Sequence, residues 1–138
     1  MSFLLDTNAI SEWVKPRPNP GLLAWMASVD EDRIFLSVIS LAELHFGVDR
    51  MPTERRQNRL ERWLQSDLPI RFEKRVLPVD SSVAEAWGKI VSNCEAAGRP
   101  IGAMDGFMAA TAQTHQLTLV TRSLSDFSLL KTVLNPWT

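Results

Sequence analysis

Four acidic residues stand in different parts of the chain, each close to the end of a short apolar run or to the start of a helical pattern. They are Asp6, Glu43, Asp105 and Asp126. Carboxylates that are brought together repel one another and raise each other's pKa unless a cation neutralises them. If the fold gathers these four groups, we therefore expect it to gather them around a metal ion.

The other side chains of the chain decide which metal that would be. Cys94 is the only cysteine, and the two histidines, His45 and His115, have no Cys or His partner close by in the sequence. A donor set made only of oxygens favours Mg²⁺ or Mn²⁺ over Zn²⁺. Such ions bridge to substrate phosphate and activate water for attack on phosphorus. The acids therefore predict hydrolysis at a phosphate ester.

Each acid also has a purely structural interpretation. Asp6 and Asp105 stand where helices are expected to start, and aspartate there caps free backbone N–H groups. Ser40-x-x-Glu43 has the spacing of a capping box, in which the glutamate bonds back to the serine N–H. Asp126 ends a turn-like Ser-Leu-Ser-Asp stretch and would hold an Asx-turn there. Taken one residue at a time, these interpretations stay open.

The apolar pattern indicates the elements that must position these acids. Short apolar runs of strand length cover residues 3–5, 34–36, 76–79 and 117–120. Helical patterns lie between them at 20–27, 41–48, 53–65, 83–95 and about 105–115. No hairpin signal joins two of the strand runs, which predicts an α/β fold of three layers with a mainly parallel central sheet. Ligands of such a sheet bind beyond the carboxyl ends of its strands, where the four acids are expected to fall.

Charge and length bound the class of protein. The chain has 138 residues, enough for one ordinary domain, with 15 Lys and Arg against 16 Asp and Glu. Residues 50–75, however, hold eight basic residues and four acidic ones. This local excess fits a polyanionic partner, and a solvated helix face with i,i+4 ion pairs explains it equally well. No apolar run approaches the roughly 20 residues of a spanning helix, so we do not expect the chain to enter a membrane. Because Cys94 is the only cysteine, we expect a protein of the reducing cytoplasm.

Five segments carry a more specific pattern: LLDTNAIS at 4–11, LSVISLAEL at 36–44, IGAMDGFMAATA at 101–112, LVTR at 119–122 and LNPW at 134–137. In order and spacing they resemble the PIN-domain ribonucleases, and within them the toxins of VapBC-type toxin–antitoxin modules, including the FitB-like branch. The resemblance implies one PIN domain over residues 1–138, folded as an α/β/α sandwich. It also implies a Mg²⁺- or Mn²⁺-dependent endoribonuclease, a homodimer, and a VapB-like antitoxin that blocks the acidic pocket in a hetero-oligomer.

Position by position, the resemblance assigns Asp6 and Asp105 as metal ligands and Glu43 as the family's glutamate. The family often has Asp or Asn directly after the Thr-Arg pair, where this chain has Ser123. A serine contributes no negative charge, so the site either has three charged acids or recruits Asp126, three residues on, as a further catalytic residue. Thr7 and Ser123 are expected to support the site, and the number of metal ions stays open.

The leading hypothesis is therefore an enzyme that hydrolyses RNA phosphodiester bonds and is neutralised by a cognate antitoxin. One alternative keeps the metal and changes the substrate to DNA or a phosphomonoester. Another keeps only the fold and uses the acidic pocket to receive a basic residue of a partner protein. Loss of activity with EDTA and its return with Mn²⁺ separates the enzymes from the binding module, and parallel RNA and DNA assays separate the enzymes.

Overall fold

A single five-stranded sheet forms the centre of the molecule in the computed structural model, which describes residues 1–138. Its order is β3-β2-β1-β4-β5, and all four neighbouring pairs are parallel. The strands are β1 Phe3–Leu5, β2 Ile34–Ser37, β3 Val76–Leu77, β4 Thr118–Val120 and β5 Val133–Leu134. The predicted parallel sheet is confirmed. The apolar pattern does not predict the two-residue edge strand β5.

Seven helices connect the strands. They are α1 Thr7–Trp13, α2 Pro20–Ser28, α3 Val38–Asp49, α4 Glu54–Arg62, α5 Leu68–Phe72, α6 Ser81–Ala96 and α7 Ala103–Thr114. A π-helical turn over Trp63–Asp67 joins α4 to α5, and Leu64, Leu68 and Phe72 are buried at a spacing of four along this run. None of the helices is long and apolar enough to cross a membrane.

The alternation of side chains along β1 divides the core in two. Leu5 packs with Leu22 of α2 and Phe72 of α5 on one face of the sheet. Leu4 points to the other face and packs with Met108 of α7. Successive side chains of a strand point to opposite faces, so apolar runs without alternation require cover on both sides. The three-layer α/β/α arrangement is thereby confirmed.

The connections of the sheet create a crevice between β1 and β4. From β1 the chain runs through β2 to β3 on one side of the sheet, and α6 and α7 then return it to β4 on the other side of β1. Neighbouring parallel strands whose connections leave in opposite directions open a crevice at their carboxyl ends, where ligands of such folds bind. Asp6 and Thr121 are the first residues beyond these two strands.

Candidate active site

A cleft of about 390 Å³ opens at the carboxyl ends of β1 and β4. Its wall includes every residue that the sequence singles out for the site: Asp6, Thr7, Glu43, Asp105, Ser123 and Asp126. His45 and His115 do not line it. The fold therefore brings together four carboxylates that are up to 120 residues apart in the chain.

Asp6 is held at the bottom of this cleft by two hydrogen bonds. Its Oδ1 accepts from the backbone N–H of Thr7 at 2.8 Å, and its Oδ2 accepts from the hydroxyl of Thr121 at 2.7 Å. Burial raises the pKa of Asp6 to about 6 although both bonds act to lower it, and repulsion from Asp105 and Glu43 adds to the increase. Asp6 thus caps α1, as the structural interpretation expects, and also presents a poorly solvated carboxylate to the cleft.

Glu43 enters the cleft from α3, and the capping-box interpretation is wrong. The cap of α3 is Ser37, whose hydroxyl accepts from the backbone N–H of Ile39 at 3.0 Å, so the helix begins three residues earlier than its apolar pattern predicts. Ser40 therefore lies inside the helix. The Oε1 of Glu43 accepts a 2.6 Å hydrogen bond from the hydroxyl of Thr7, which also lies 3.0 Å from the hydroxyl of Ser40. Thr7 thereby orients Glu43 across the cleft.

Asp105 is the third residue of α7, whose N-cap is Gly102, so the expectation that Asp105 caps this helix is also wrong. Burial raises the pKa of the Asp105 carboxyl, and Asp126 and Glu43 raise it further by repulsion. The first turn of α7 is fixed by the indole N–H of Trp87, which donates to the carbonyl of Ala103 at 3.1 Å. A Cβ at position 106 would lie 2.8 Å from the Trp87 indole nitrogen, so glycine there lets the indole approach α7 without a shift.

Ser123 and Asp126 lie on the segment that follows β4. The hydroxyl of Ser123 accepts from the Asn8 side chain at 3.3 Å. Asp126 belongs to a 3₁₀ turn over Leu124–Phe127, and its carboxylate accepts no hydrogen bond from the chain, which overturns the Asx-turn interpretation. An exposed and unpaired carboxylate is thus available at the mouth of the cleft.

Two further residues, missed as site residues from the sequence, hold this segment in place. The Asn8 side-chain amide donates to the hydroxyls of Thr121 at 3.2 Å and Ser123 at 3.3 Å and accepts from the Arg122 N–H at 3.2 Å. Thr121 is fully buried, and its hydroxyl also accepts from the Ser123 N–H at 3.0 Å. Both residues lie in segments that carry the family pattern, LLDTNAIS and LVTR, and this pattern is the sequence signal that could have identified them.

The donor set suits a hard cation that keeps part of its water shell. All candidate ligands are oxygens, and no three of the acidic side chains converge closely enough to form a complete cage. Mg²⁺ uses one or two carboxylates and retains waters, so an open set of this kind is adequate for it. The raised pKa of Asp6 and of Asp105 reflects burial and repulsion that a bound cation would relieve.

Six of the eight basic residues in the run 50–75 fall into two groups. Arg71 pairs with Glu31, with 2.6 Å between its Nη2 and Oε1, and Arg75 donates to the carbonyl of Ile34 at 2.8 Å. These two residues tie α5 and the segment after it to the start of β2. The arginines of α4, namely Arg55, Arg56, Arg59 and Arg62, are exposed and form no ion pair. The expected i,i+4 ion pairs are therefore absent.

Comparison with known proteins agrees with this architecture. The family described as PIN domain matches residues 3–125. Toxin FitB of Neisseria gonorrhoeae is 43% identical over 136 residues, covering 97% of each chain. VapC ribonuclease Y4jK of Sinorhizobium fredii is 34% identical and covers 97% of this chain and 96% of its own length. The structure of FitAB bound to the IR36 DNA fragment matches with a TM-score of 0.90 and 36% identity over 99% of this chain and 96% of that one.

These matches extend over nearly the whole chain and include the segments that supply the acidic cleft. The fold, the order of the cleft residues and the relatives agree with the family that the five sequence segments indicate. The chain belongs to the PIN-domain family and, within it, to the toxins of the FitB and VapC type.

Proposed function

We propose that this chain, as one PIN domain, is a Mg²⁺- or Mn²⁺-dependent endoribonuclease and the toxin of a cytoplasmic toxin–antitoxin module. The observation that carries the proposal is the gathering of four carboxylates in one cleft at the switch point of a parallel sheet. Relatives named as a toxin and as a ribonuclease support the same conclusion.

In the proposed reaction each cleft residue has a separate task. Asp6 and Asp105 would hold the ion, which when bound supplies positive charge to the phosphate undergoing attack. Glu43 accepts the proton of the attacking water, and the Thr7 hydroxyl keeps its carboxylate oriented towards the cleft. Asp126 and Ser123 hold water at the mouth of the cleft by hydrogen bonding.

The proposed partners are a single-stranded or looped RNA substrate, a second copy of the chain and a cognate VapB-like antitoxin. An antitoxin would neutralise the enzyme by covering the acidic cleft, and a basic side chain of the antitoxin is the chemistry that the cleft would accept. The relative named Toxin FitB and the structure of FitAB support an assembly of this kind. Sequencing the 5′ ends of RNA after brief expression in cells would identify the cleavage site.

The direct test uses purified protein with RNA and DNA oligonucleotides of the same sequence. We expect RNA cleavage that stops with EDTA and returns with Mn²⁺. Cleavage of DNA alone would favour the alternative substrate. Absence of cleavage with either substrate, together with tight binding of a basic peptide, would favour the binding module.

The matched variant is Asp105→Asn, which keeps the shape of the side chain and removes one charge from the cleft. We expect cleavage to fall by about a hundredfold or more, the scale of losing a group that supports phosphoryl transfer. The metal-free protein should be equally or slightly more stable, since repulsion from Asp126 and Glu43 is relieved. A purified variant with wild-type cleavage rates would remove Asp105 from the site.

A further inference from the structure

A second, polar cavity of about 530 Å³ adjoins the acidic cleft. The two share a wall made by Glu12, Arg122 and Trp137. Arg17 lines the far side of the second cavity, and Lys15 lines the cleft. The cleft of the four carboxylates and the cavity with these cationic side chains are therefore direct neighbours, and the proposed reaction has so far assigned the cationic side chains no role.

Two of these cations form no ion pair with the protein, although one of them, Arg122, lies near enough to Glu12 to contribute to lowering the pKa of its carboxyl. Glu12 is the only acidic residue of the second cavity, and both of its oxygens are used, by the Lys15 ammonium at 2.9 Å and by the backbone N–H of Asn19 at 2.9 Å. The hydrogen bond from Lys15 is the main reason that the pKa of Glu12 is lowered. Arg17 and Arg122 are exposed and belong to no ion pair. The second cavity therefore offers two guanidinium groups to an anion.

The backbone of Arg122 is held in register with the acidic cleft. Its N–H donates to the side chain of Asn8 at 3.2 Å, and the preceding residue, Thr121, donates its hydroxyl to Asp6. The guanidinium group thus extends from an anchored backbone one residue away from a partner of Asp6. A strand whose phosphate lies at the carboxylates would place a neighbouring phosphate within reach of such a side chain.

Trp137 gives the shared wall an aromatic surface. It is half-buried, and its backbone N–H donates to the side-chain oxygen of Asn135 at 3.0 Å. The next residue, Thr138, is fixed to Asn19 by two hydrogen bonds of 3.1 Å, which hold this end of the chain against the start of α2. Aromatic side chains beside a cationic groove are the usual platform for the bases of single-stranded nucleic acid.

We propose that Arg122 and Arg17 bind the RNA phosphate next to the one that is cleaved, and that Trp137 stacks against an adjoining base. This proposal rests on the proposed ribonuclease function and names the side of the cleft along which the strand runs. Arginine suits the role because its planar group binds phosphate oxygens with two hydrogen bonds.

The test measures binding of a fluorescent single-stranded RNA to Asp105→Asn protein in Mg²⁺ over a range of salt concentrations. Each phosphate contact to single-stranded nucleic acid contributes about 0.7 to the slope of log affinity against log salt. We expect Arg122→Gln to weaken binding about tenfold, as a charged hydrogen bond would, and to reduce the slope by about 0.7. Adding Arg17→Gln should reduce the slope further. In the cleaving enzyme, Arg122→Gln should raise KM more than it lowers kcat.

Arg33→Gln is the matched control. Arg33 directly precedes β2, so it lies at the amino ends of the parallel strands, away from the cleft at their carboxyl ends. It should leave affinity and slope unchanged. Trp137→Leu should weaken binding without changing the slope, since no charge is lost, and Trp137→Phe should restore most of the affinity.

The possible failures can be told apart. If the wild-type chain cleaves RNA and the Arg122→Gln, Arg17→Gln double variant keeps the wild-type affinity and slope, the phosphate site is overturned and the ribonuclease stands. If that double variant loses only antitoxin binding, the cations serve the protein partner and the RNA proposal is likewise overturned. If the wild-type chain neither binds nor cleaves RNA, both proposals fall.

Discussion

At the carboxyl end of β1, one carboxylate both caps a helix and lines the cleft. Asp6 is only 6% exposed, and burial is the main reason that its pKa rises to about 6. The hydroxyl of Thr121 and the N–H of Thr7 satisfy its oxygens without neutralising its charge. At neutral pH the buried charge of Asp6 therefore lowers the free energy of unfolding of the metal-free protein, and a bound cation would remove this destabilisation.

The raised pKa of Asp6 predicts how the stability of the metal-free protein depends on pH. The carboxyl of Asp6 in the folded protein, with a pKa of about 6, keeps its proton at pH 5, where an ordinary aspartate with a pKa of 3.8 has lost it. This stabilising contribution is present below pH 3.8 and is lost as the pH rises through 6. We expect Asp6→Asn in EDTA to be more stable than the wild type at pH 7.5, by about 2–3 kcal/mol at most.

Thermal unfolding of both proteins at pH 4.5 and pH 7.5 measures the difference. Comparing variant with wild type removes the opposite contribution of Glu12 and Glu31, whose pKa values are lowered by Lys15 and Arg71. A difference in Tm that does not grow with pH would show that Asp6 is well solvated or already neutralised.

Glu43 gives a second prediction at this scale. Glu43→Gln keeps an oxygen that can accept the hydrogen bond of Thr7 and loses only the charge and the ability to take a proton. We expect RNA cleavage to fall by about a hundredfold or more, the scale of a general base. The Tm should change little. Cleavage assays and thermal unfolding on the same preparation check this, and full activity in the variant would leave Glu43 with a structural role only.

Among the elements, α4 differs from α5 in what its arginines do. Arg71 of α5 and Arg75 just after it bond to Glu31 and to backbone carbonyls, so they join parts of the fold. The arginines of α4 have no such partners. Exposed positive charges without partners on one helix are available to the phosphates of RNA or to acidic side chains of the antitoxin.

Replacing Arg55, Arg59 and Arg62 by Gln tests this helix as a unit, because Gln preserves helix propensity. If α4 guides RNA or the antitoxin, binding of one of them should weaken and depend less on salt. Salt titrations with RNA and with antitoxin measure the two slopes separately. Unchanged slopes for both partners would make α4 an ordinary solvated face. Lys131→Gln, at an exposed lysine that forms no ion pair, is the control for loss of a surface charge.

Across the whole molecule, the last residues of the chain close the fold at α2. A Cβ at Gly21, near the start of α2, would lie 2.3 Å from the carbonyl oxygen of Pro136, so only glycine permits this approach. The segment that packs against Gly21 includes Trp137. This residue contacts the core cluster of Leu5 and Leu22 and also lines the cleft. The two ends of the sequence thus build one wall of the site together.

Gly21→Ala should therefore destabilise the protein by about 1–3 kcal/mol, as overpacking does. Gly47→Ala in α3 is the matched control, since a Cβ there meets nothing within 4 Å. It should instead stabilise the helix by about 0.5–1 kcal/mol. Urea unfolding measures both changes. Equal effects of the two substitutions would show that the chain end does not seat tightly on α2.

The sequence by itself determined the layers, the parallel sheet and the four acids, because these depend on local periodicity and on residue types that one can read directly. The apolar runs at 3–5 and 117–120 require cover on both faces, and acids beyond them must meet at one edge. Helix starts were less well determined. Ser37 and Ser40 both suit a cap, and the position at which β2 leaves the sheet decided between them.

Only the tertiary structure decided how the acids are held and what surrounds them. Asn8 and Thr121 are 113 residues apart, and nothing local in either segment reveals that they bond to each other beside Asp6. The same is true of Arg122 and Trp137, which form one wall only after the chain end docks on α2. Hydrogen bonds and electrostatic interactions between distant segments depend on where the fold places those segments. The local pattern of residue types does not determine that placement.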